Sequence, residues 1–575
     1  MLAKINKLKN WQVAIIIAVM GFAVFSTGLI SPFRDDDITQ ITSSVPVHSI
    51  THIKVLFEGG TFYEGKGLAP LSGVYYKPLM TTVYSLLYTF FGPRTLAFHL
   101  FQLLLYIASA VLLFLVFKYS FKTVLALLLA LIFLVHPLNS QVVFAIPAMQ
   151  DVLFFFFGIL AFWLLLRYRS VRVLFLVALC LFLSMLSKET AVAFIFISFL
   201  YLFIFNRERF YKFIWIMLVP VGLYLALRIN AVGLLTHENS APIDQLGLVG
   251  RLFTAPSIML FYITRIVFPW KLASTYYWIY PTFSFRHVLL PLLIDLTVVG
   301  CFVYIGGLLH KRVSKAKYYT YIFFSAWTAM GLLLHLQIIP LDTTVFEPYF
   351  YFSMAGLLGM IGIILGSFKI RPTWILYIAV ILIGLFGIRS AVRGLDWEHP
   401  VSLAYKDISV SPDDYVAYND IAINFNRQHN YAEAVNYIQH SIKIFPAYFN
   451  YFNLGVFENN LGNHQQAYNS YITALKYGND VVIYENLSEL SIVYGNRSFD
   501  EWLFTKALGQ FPDNSKILTN LAIIEDKYND NTAAKQYIQE AANNGPVSQI
   551  LYNKIMNDQS FNLNLQDINQ HLKIQ

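Results

Sequence analysis

The chain has 575 residues, of which 57% are hydrophobic and 17% aromatic while only 13% carry charge, a balance outside the range of soluble domains and expected of a polytopic membrane protein. Its formal charge of +8 does not argue for a nucleic-acid partner, because Lys and Arg fall mostly in short clusters between apolar runs, where they set topology. Cys180 and Cys301, the only cysteines, lie inside apolar runs, which leaves a disulfide framework unsupported and argues against a Cys-based metal site.

Lys4, Lys7 and Lys9 precede the first apolar run, Trp11 to Ile30. It is too long for a signal peptide and lacks a small-x-small cleavage site, so it reads as an uncleaved first membrane helix. Directly after it stand Arg34, Asp35, Asp36 and Asp37. Further runs suited to spanning fall near 95 to 117, 122 to 138, 151 to 166, 172 to 186, 190 to 205, 213 to 228, 288 to 309, 318 to 336, 349 to 368 and 373 to 390, about eleven crossings in all. The basic clusters Lys118/Lys122, Arg167/Arg169/Arg172, Arg207/Arg209/Lys212, Lys311/Arg312/Lys315/Lys317 and Lys369/Arg371 then share the side of the Lys-rich N-terminus, which is expected to be cytosolic. This holds only if the stretch at about 250 to 268, with Arg251, Pro256 and Arg265, lies in the interface or re-enters. The Asp triplet, the loop 137 to 150, Lys188-Glu189, the segment 229 to 287 and the loop 337 to 348 then face outward together.

After Trp397 the composition shifts to Asn, Tyr, Asp and Gln, and a repeat appears. Ile421-Ala422, Leu454-Gly455, Leu487-Ser488 and Leu521-Ala522 recur at about 33 to 34 residues, the tetratricopeptide spacing. Ser441, Ala474, Ala507 and Ala541 hold the same register in the second helix of each unit. Pro446, Pro512 and Pro546 follow, with Asn479 marking a degenerate third unit. The expected fold is all-α: a polytopic transmembrane helical bundle over 1–396, then an extracytoplasmic solenoid of four tetratricopeptide hairpins over 397–575. Such a solenoid carries no catalytic constellation and would bind a polypeptide acceptor or a partner protein.

A carboxylate held at the membrane surface suits a general base for an acceptor hydroxyl, provided it stays ionised. The same triplet also suits a merely solvated helix end. Its setting resembles the glycosyltransferase C superfamily, and within it the tetratricopeptide-bearing O-mannosyltransferase-like proteins related to the TMTC and protein O-mannosyltransferase families. Asp36-Asp37 followed by Ile41 is similar to the family's Asp-Asp-x-x-x-Ile, and Tyr76-Lys77-Pro78-Leu79 to its Tyr-Arg-Pro-Leu. Phe98-His99, His136-Pro137 through Val142, Asp151, Ser187-Lys188-Glu189, Arg228, Phe268-Pro269 and Glu347 with Tyr351 follow in the family's order over nearly the whole chain. Gln141, Met149 and Pro348 depart from it, which leaves the sugar and the acceptor open.

The resemblance implies inverting transfer of a sugar from a polyprenyl phosphate carrier to an acceptor hydroxyl, on polypeptide or glycan, at the outer face. The base would be Asp36, with Asp37 and Asp35 behind it. Lys188, Arg228 and Arg265, each at an expected outer helix end, would hold the carrier phosphate, although each also suits an interfacial anchor. His99, His136, Glu189 and Glu347 would contact substrate, with Glu189 also suited to pairing with Lys188. No tight transition-metal pattern is present, and a loosely held divalent ion beside Asp35 to Asp37 stays open. A chain of another class, a membrane-anchored scaffold that has lost catalysis, is the alternative.

Overall fold

The computed structural model describes residues 5–34, 36–63, 75–233, 241–368 and 370–559. Among these the regular elements are all helical; one isolated bridge joins Tyr276 to Val345. The chain divides into two compact units, with the boundary between Asp414 and Tyr415.

Among the described residues of the first unit, seven helices are long and apolar enough to cross a membrane: Asn10–Ile30, Thr95–Phe117, Ile146–Arg167, Arg207–Val232, Phe285–Arg312, Glu347–Leu365 and Pro372–Asp396. An eighth arises if Thr123–Val135 and Pro137–Phe144 form one span bent by 54°. That bend has a local cause. Pro137 has no N–H to give and disfavours helical backbone at His136, which is extended with φ −66° and ψ 127°. Arg172–Ser187 and Glu189–Phe205 are shorter apolar helices, and Leu248–Val267 and Lys315–Leu333 are helices outside that set.

Burial separates centre from rim. The apolar window of Glu347–Leu365 is 78% buried, against 17% for Arg207–Val232 and Phe285–Arg312, so the former is the bundle's axis and the latter two present most of their surface outward. Around that axis Trp327, Phe162, Phe194, Phe352, Phe155 and Tyr351 pack as an aromatic centre. Gly158 admits the Phe194 ring where any Cβ would collide with it, which lets Ile146–Arg167 approach its neighbour closely.

The second unit is a succession of short helices, beginning with the antiparallel pair Tyr415–Arg427 and Tyr431–Ile444 and continuing through Tyr448–Asn460, His464–Ala474, Val481–Tyr494, Arg497–Gln510, Ser515–Lys527, Asn531–Asn544 and Gln549–Met556. Asn430, Asp480, Asn496, Asn514 and Asp530 start five of them by accepting backbone N–H groups of the first turn. Ser441, Ala474, Ala507 and Ala541 are all fully buried, because a small side chain at that register lets paired helices touch. His429, Gly462 and Asn529 turn three of the hairpins in the left-handed region. At Gly495 the third hairpin stays extended with φ −74°; Asn479, five residues after Ala474, follows the second hairpin, so the position that lacks the proline lies in the second unit and not in the third.

Candidate functional site

Asp36 and Asp37 follow the first apolar helix at the start of a turn that continues through Ile38–Thr42. Asp37 is buried: its carboxylate accepts the Arg34 N–H at 3.1 Å, and its own N–H donates to the Arg34 carbonyl at 2.7 Å. Arg34 donates to the Trp397 carbonyl and lies 4.7 Å from the indole centre, which pins the turn to the end of the last apolar helix. Asp36 is left exposed beside it. Asp35 lies outside the described residues.

Two ion pairs stand at the ends of neighbouring helices. Asp151, in the first turn of Met149–Arg167, lies 2.7 Å from the ammonium of Lys188, with both side chains buried. Lys188 also faces the Tyr349 ring at 5.6 Å, and Tyr349 stacks on His335 at 4.4 Å and donates to Asp342 at 3.2 Å. Asp151, Lys188, Thr190, His335 and Tyr349 thereby line one narrow pocket. Glu189 pairs with Arg228 at 2.7 Å and accepts the Tyr76 N–H at 3.0 Å. The expected pairing of Glu189 with Lys188 is therefore not made. Lys188 is extended with φ −160° and Glu189 opens a 3-10 turn, so adjacent side chains diverge to different partners.

Lys77, singled out only as part of the Tyr-Lys-Pro-Leu segment, belongs to this group. Its ammonium lies 4.2 Å from the Tyr75 ring and makes no ion pair among the described residues. Burial lowers its pKa, with Glu189 opposing that shift and Lys188 adding to it. Lys77, Lys188 and Arg228 thus share a neighbourhood with Asp151 and Glu189.

The other expected residues are placed differently. Glu347 is fully buried and ion-paired with Arg393, accepts from the Tyr276 hydroxyl at 3.3 Å, and so ties the last apolar helix to the segment after Leu248–Val267. Arg393 also donates to the Ala273 carbonyl at 3.3 Å. Asp407 accepts the Ser274 N–H at 2.9 Å and Asp414 the Thr275 hydroxyl at 2.9 Å, so the same segment is held from a third side. His136 is buried with both ring nitrogens occupied, one by the Leu138 N–H and one at the Ile266 carbonyl, which leaves neither for a ligand. His99 is buried at the Ser31 carbonyl. Arg265 lies over the Phe261 ring at 5.1 Å, outside the Lys77, Lys188 and Arg228 group. Among the described residues no cluster of three or more His, Cys, Asp or Glu is arranged to hold a metal ion.

Arg34, Lys77, His335, Arg393 and Asp407 were not among the residues selected from sequence. An arginine at the end of an apolar run was the available signal for Arg393, since an ionisable group there needs a buried partner. Chemically, the described residues offer an exposed carboxylate on a pinned turn and, at other helix ends, a set of cations beside paired carboxylates. No model of a known protein family matches the chain, and no curated protein matches it.

Proposed function

We propose that the chain is an integral membrane glycosyltransferase of the glycosyltransferase C type, moving a sugar from a polyprenyl phosphate to an acceptor hydroxyl at the extracytoplasmic face. The observation that carries this reading is the gathering of Lys77, Lys188 and Arg228 at neighbouring helix ends, three cations interleaved with the carboxylates Asp151, Glu189 and Asp342. A leaving phosphate is stabilised by such donors. Asp36 takes the acceptor proton as the hydroxyl oxygen attacks the anomeric carbon; the bond from that carbon to the phosphate oxygen breaks, and the electron pair leaves with the phosphate toward the cations. Asp37, buried with one carboxylate oxygen accepting the Arg34 N–H, shapes the turn.

In this reading the seven long helices, the bent pair, the two shorter apolar helices and Lys315–Leu333 make eleven crossings, and Leu248–Val267, with Pro256 in its interior, lies at the interface. The N-terminus is cytosolic. The second unit is extracytoplasmic, a solenoid of tetratricopeptide hairpins that meets the acceptor polypeptide, a reading supported by the buried small residues at its repeat register.

A scaffold without catalysis is favoured by one observation: Lys188 and Arg228 already have carboxylate partners, as structural cations do. Mass spectrometry of glycoproteins from cells with and without the chain separates the two, followed by complementation with Asp36→Asn. Loss of a glycan that Asp36→Asn fails to restore supports transfer, with a rate loss of about 10²- to 10⁴-fold for a missing general base. An unchanged glycoprotein profile supports the scaffold.

A further inference from the structure

Among the described residues of the basic clusters between apolar helices, Arg209 alone is buried, with 5% of its surface exposed. It stands in the first turn of Arg207–Val232, where Asn206 caps the helix by accepting the Arg209 backbone N–H at 3.2 Å. Its Nη1 donates to the Leu165 carbonyl at 3.3 Å, near the end of Ile146–Arg167, whereas its Nε and Nη2 are buried without a partner among the described residues. Those two nitrogens form the edge of a guanidinium that meets two oxygens of one anion at once. No carboxylate stands ready for them: Glu208 pairs with Lys212 at 2.6 Å, and the strongest charge acting on Arg209 is that of Arg169, another cation. Tyr201 lies within electrostatic reach of both guanidinium groups. Its ring is fixed against Phe162, Phe205 and Phe323, while its hydroxyl makes no hydrogen bond among the described residues and is not closed off from solvent.

We propose that Arg209, Arg169 and Tyr201 form a binding site for a phosphate group, carried by a lipid or free in solution. The inference goes beyond the proposed function and does not rest on it, because the site lies at the opposite end of the helix that carries Asp151. Leu165 is about 21 Å from Asp151 along that helix at 1.5 Å per residue. Setting topology explains exposed cations such as Arg167 and Arg172, but not a buried one whose paired donors are unspent, a costly arrangement unless an acceptor fills it. Two oxygens take the Nε and Nη2 hydrogens. A third faces Arg169 and accepts from the Tyr201 hydroxyl, an oxygen that a carboxylate does not have. The positive end of the Arg207–Val232 dipole adds to the attraction. The anion enters beside the Tyr201 hydroxyl, where the site is open.

The test titrates the full chain in detergent with radiolabelled inorganic phosphate and with a tail-labelled phosphatidic acid, using phosphatidylcholine as the control lipid. Saturable binding of a phosphate probe but not of the control is expected. It should weaken about tenfold in Arg209→Lys, which keeps the charge and removes the fork, the loss of one charge-assisted hydrogen bond. Arg169→Ala, at an exposed position that leaves the fold intact, should weaken it as well, whereas Arg172→Ala, equally exposed, should not. The binding should persist in Lys188→Ala, which separates it from phosphate held beside Asp151. The probe that binds alone, or displaces the other at the lower concentration, identifies the source as lipid headgroup or free phosphate. No binding of either probe, or undiminished binding in Arg209→Lys, overturns the proposal. So do equal losses in Arg169→Ala and Arg172→Ala, which mark a general attraction to a basic surface; that contrast decides the matter if Arg209→Lys melts early.

Discussion

Replacing Lys188 by alanine tests whether that cation serves the fold, the donor, or both. In the structure its ammonium is 2.7 Å from the Asp151 carboxylate, whose second oxygen is buried without a partner among the described residues. At that distance the gross attraction is about 6 kcal/mol for an effective dielectric constant near 20, before the cost of taking both charges out of water. Removing one partner of a buried pair costs about 3–5 kcal/mol, because the other charge stays behind. Asp151 sits in the first turn of its helix, where the helix dipole partly stabilises a carboxylate, so the lower end, about 3 kcal/mol, is expected. Lys188→Ala and Asp151→Ala should each lower the melting midpoint of the detergent-solubilised chain by a few degrees. The double change Lys188→Met with Asp151→Leu should recover most of that loss. If the double variant instead melts below the wild type by the sum of the two single-variant losses, the pairing argument is refuted. Titrating each variant with a polyprenyl phosphate then assigns the cation: weak binding in the recovered double variant marks a donor contact, and full binding marks a purely structural pair.

Burial raises the Asp407 carboxyl to about 6, against 3.8 for a free one, with the Ser274 hydrogen bonds and Arg393 opposing the shift. Because the folded value lies above the unfolded one, its stabilising contribution is complete below about pH 4 and is lost as pH rises through about 6, up to about 3 kcal/mol. Wild-type melting should therefore fall relative to Asp407→Asn over that window, and parallel curves would remove the basis for it. Gly455→Ala places a Cβ 2.5 Å from the buried Tyr471 ring, so overpacking should cost about 1–3 kcal/mol, seen as early melting or proteolysis of the second unit. A tag fused after Gln575 should react with an impermeant reagent on intact cells, or be protected inside sealed microsomes; a cytosolic tag contradicts the proposed topology.

The repeat register and most of the apolar helices were legible in the sequence because both are periodic and local. Leu454-Gly455 and Ala474 needed only their spacing to be placed in the interior of the second unit, whereas the run near 122 to 138 was read as one crossing and the bend at His136 was missed although Pro137 was its signal. Partner choice was not legible. Glu189 stands next to Lys188 in the chain, yet its counter-ion arrives from a helix 39 residues later. Glu347 meets Arg393 across 46 residues, at a helix end beyond the apolar run read as ending at 390. Asp36 was ranked ahead of Asp37 by its place in the Asp-Asp-x-x-x-Ile pattern; the fold adds that Asp37 is buried and accepts the Arg34 N–H while Asp36 is exposed. Lys77 was noted within the Tyr-Lys-Pro-Leu segment but given no role, because the sequence says nothing of the carboxylates that other segments bring near it.

The bond from Arg34 to the Trp397 carbonyl spans 363 residues of chain. During synthesis at about 5–20 residues per second, the turn carrying Asp36 waits roughly 20–70 s before the residue that anchors it has been made. Until then the turn rests on contacts made earlier in the chain, Asp37 on the Arg34 N–H, Phe33 against Phe98 and Ser31 at His99. A chain arrested before Trp397 therefore carries the carboxylate turn without its bond to the last apolar helix, which makes that helix the last element to lock the turn in place.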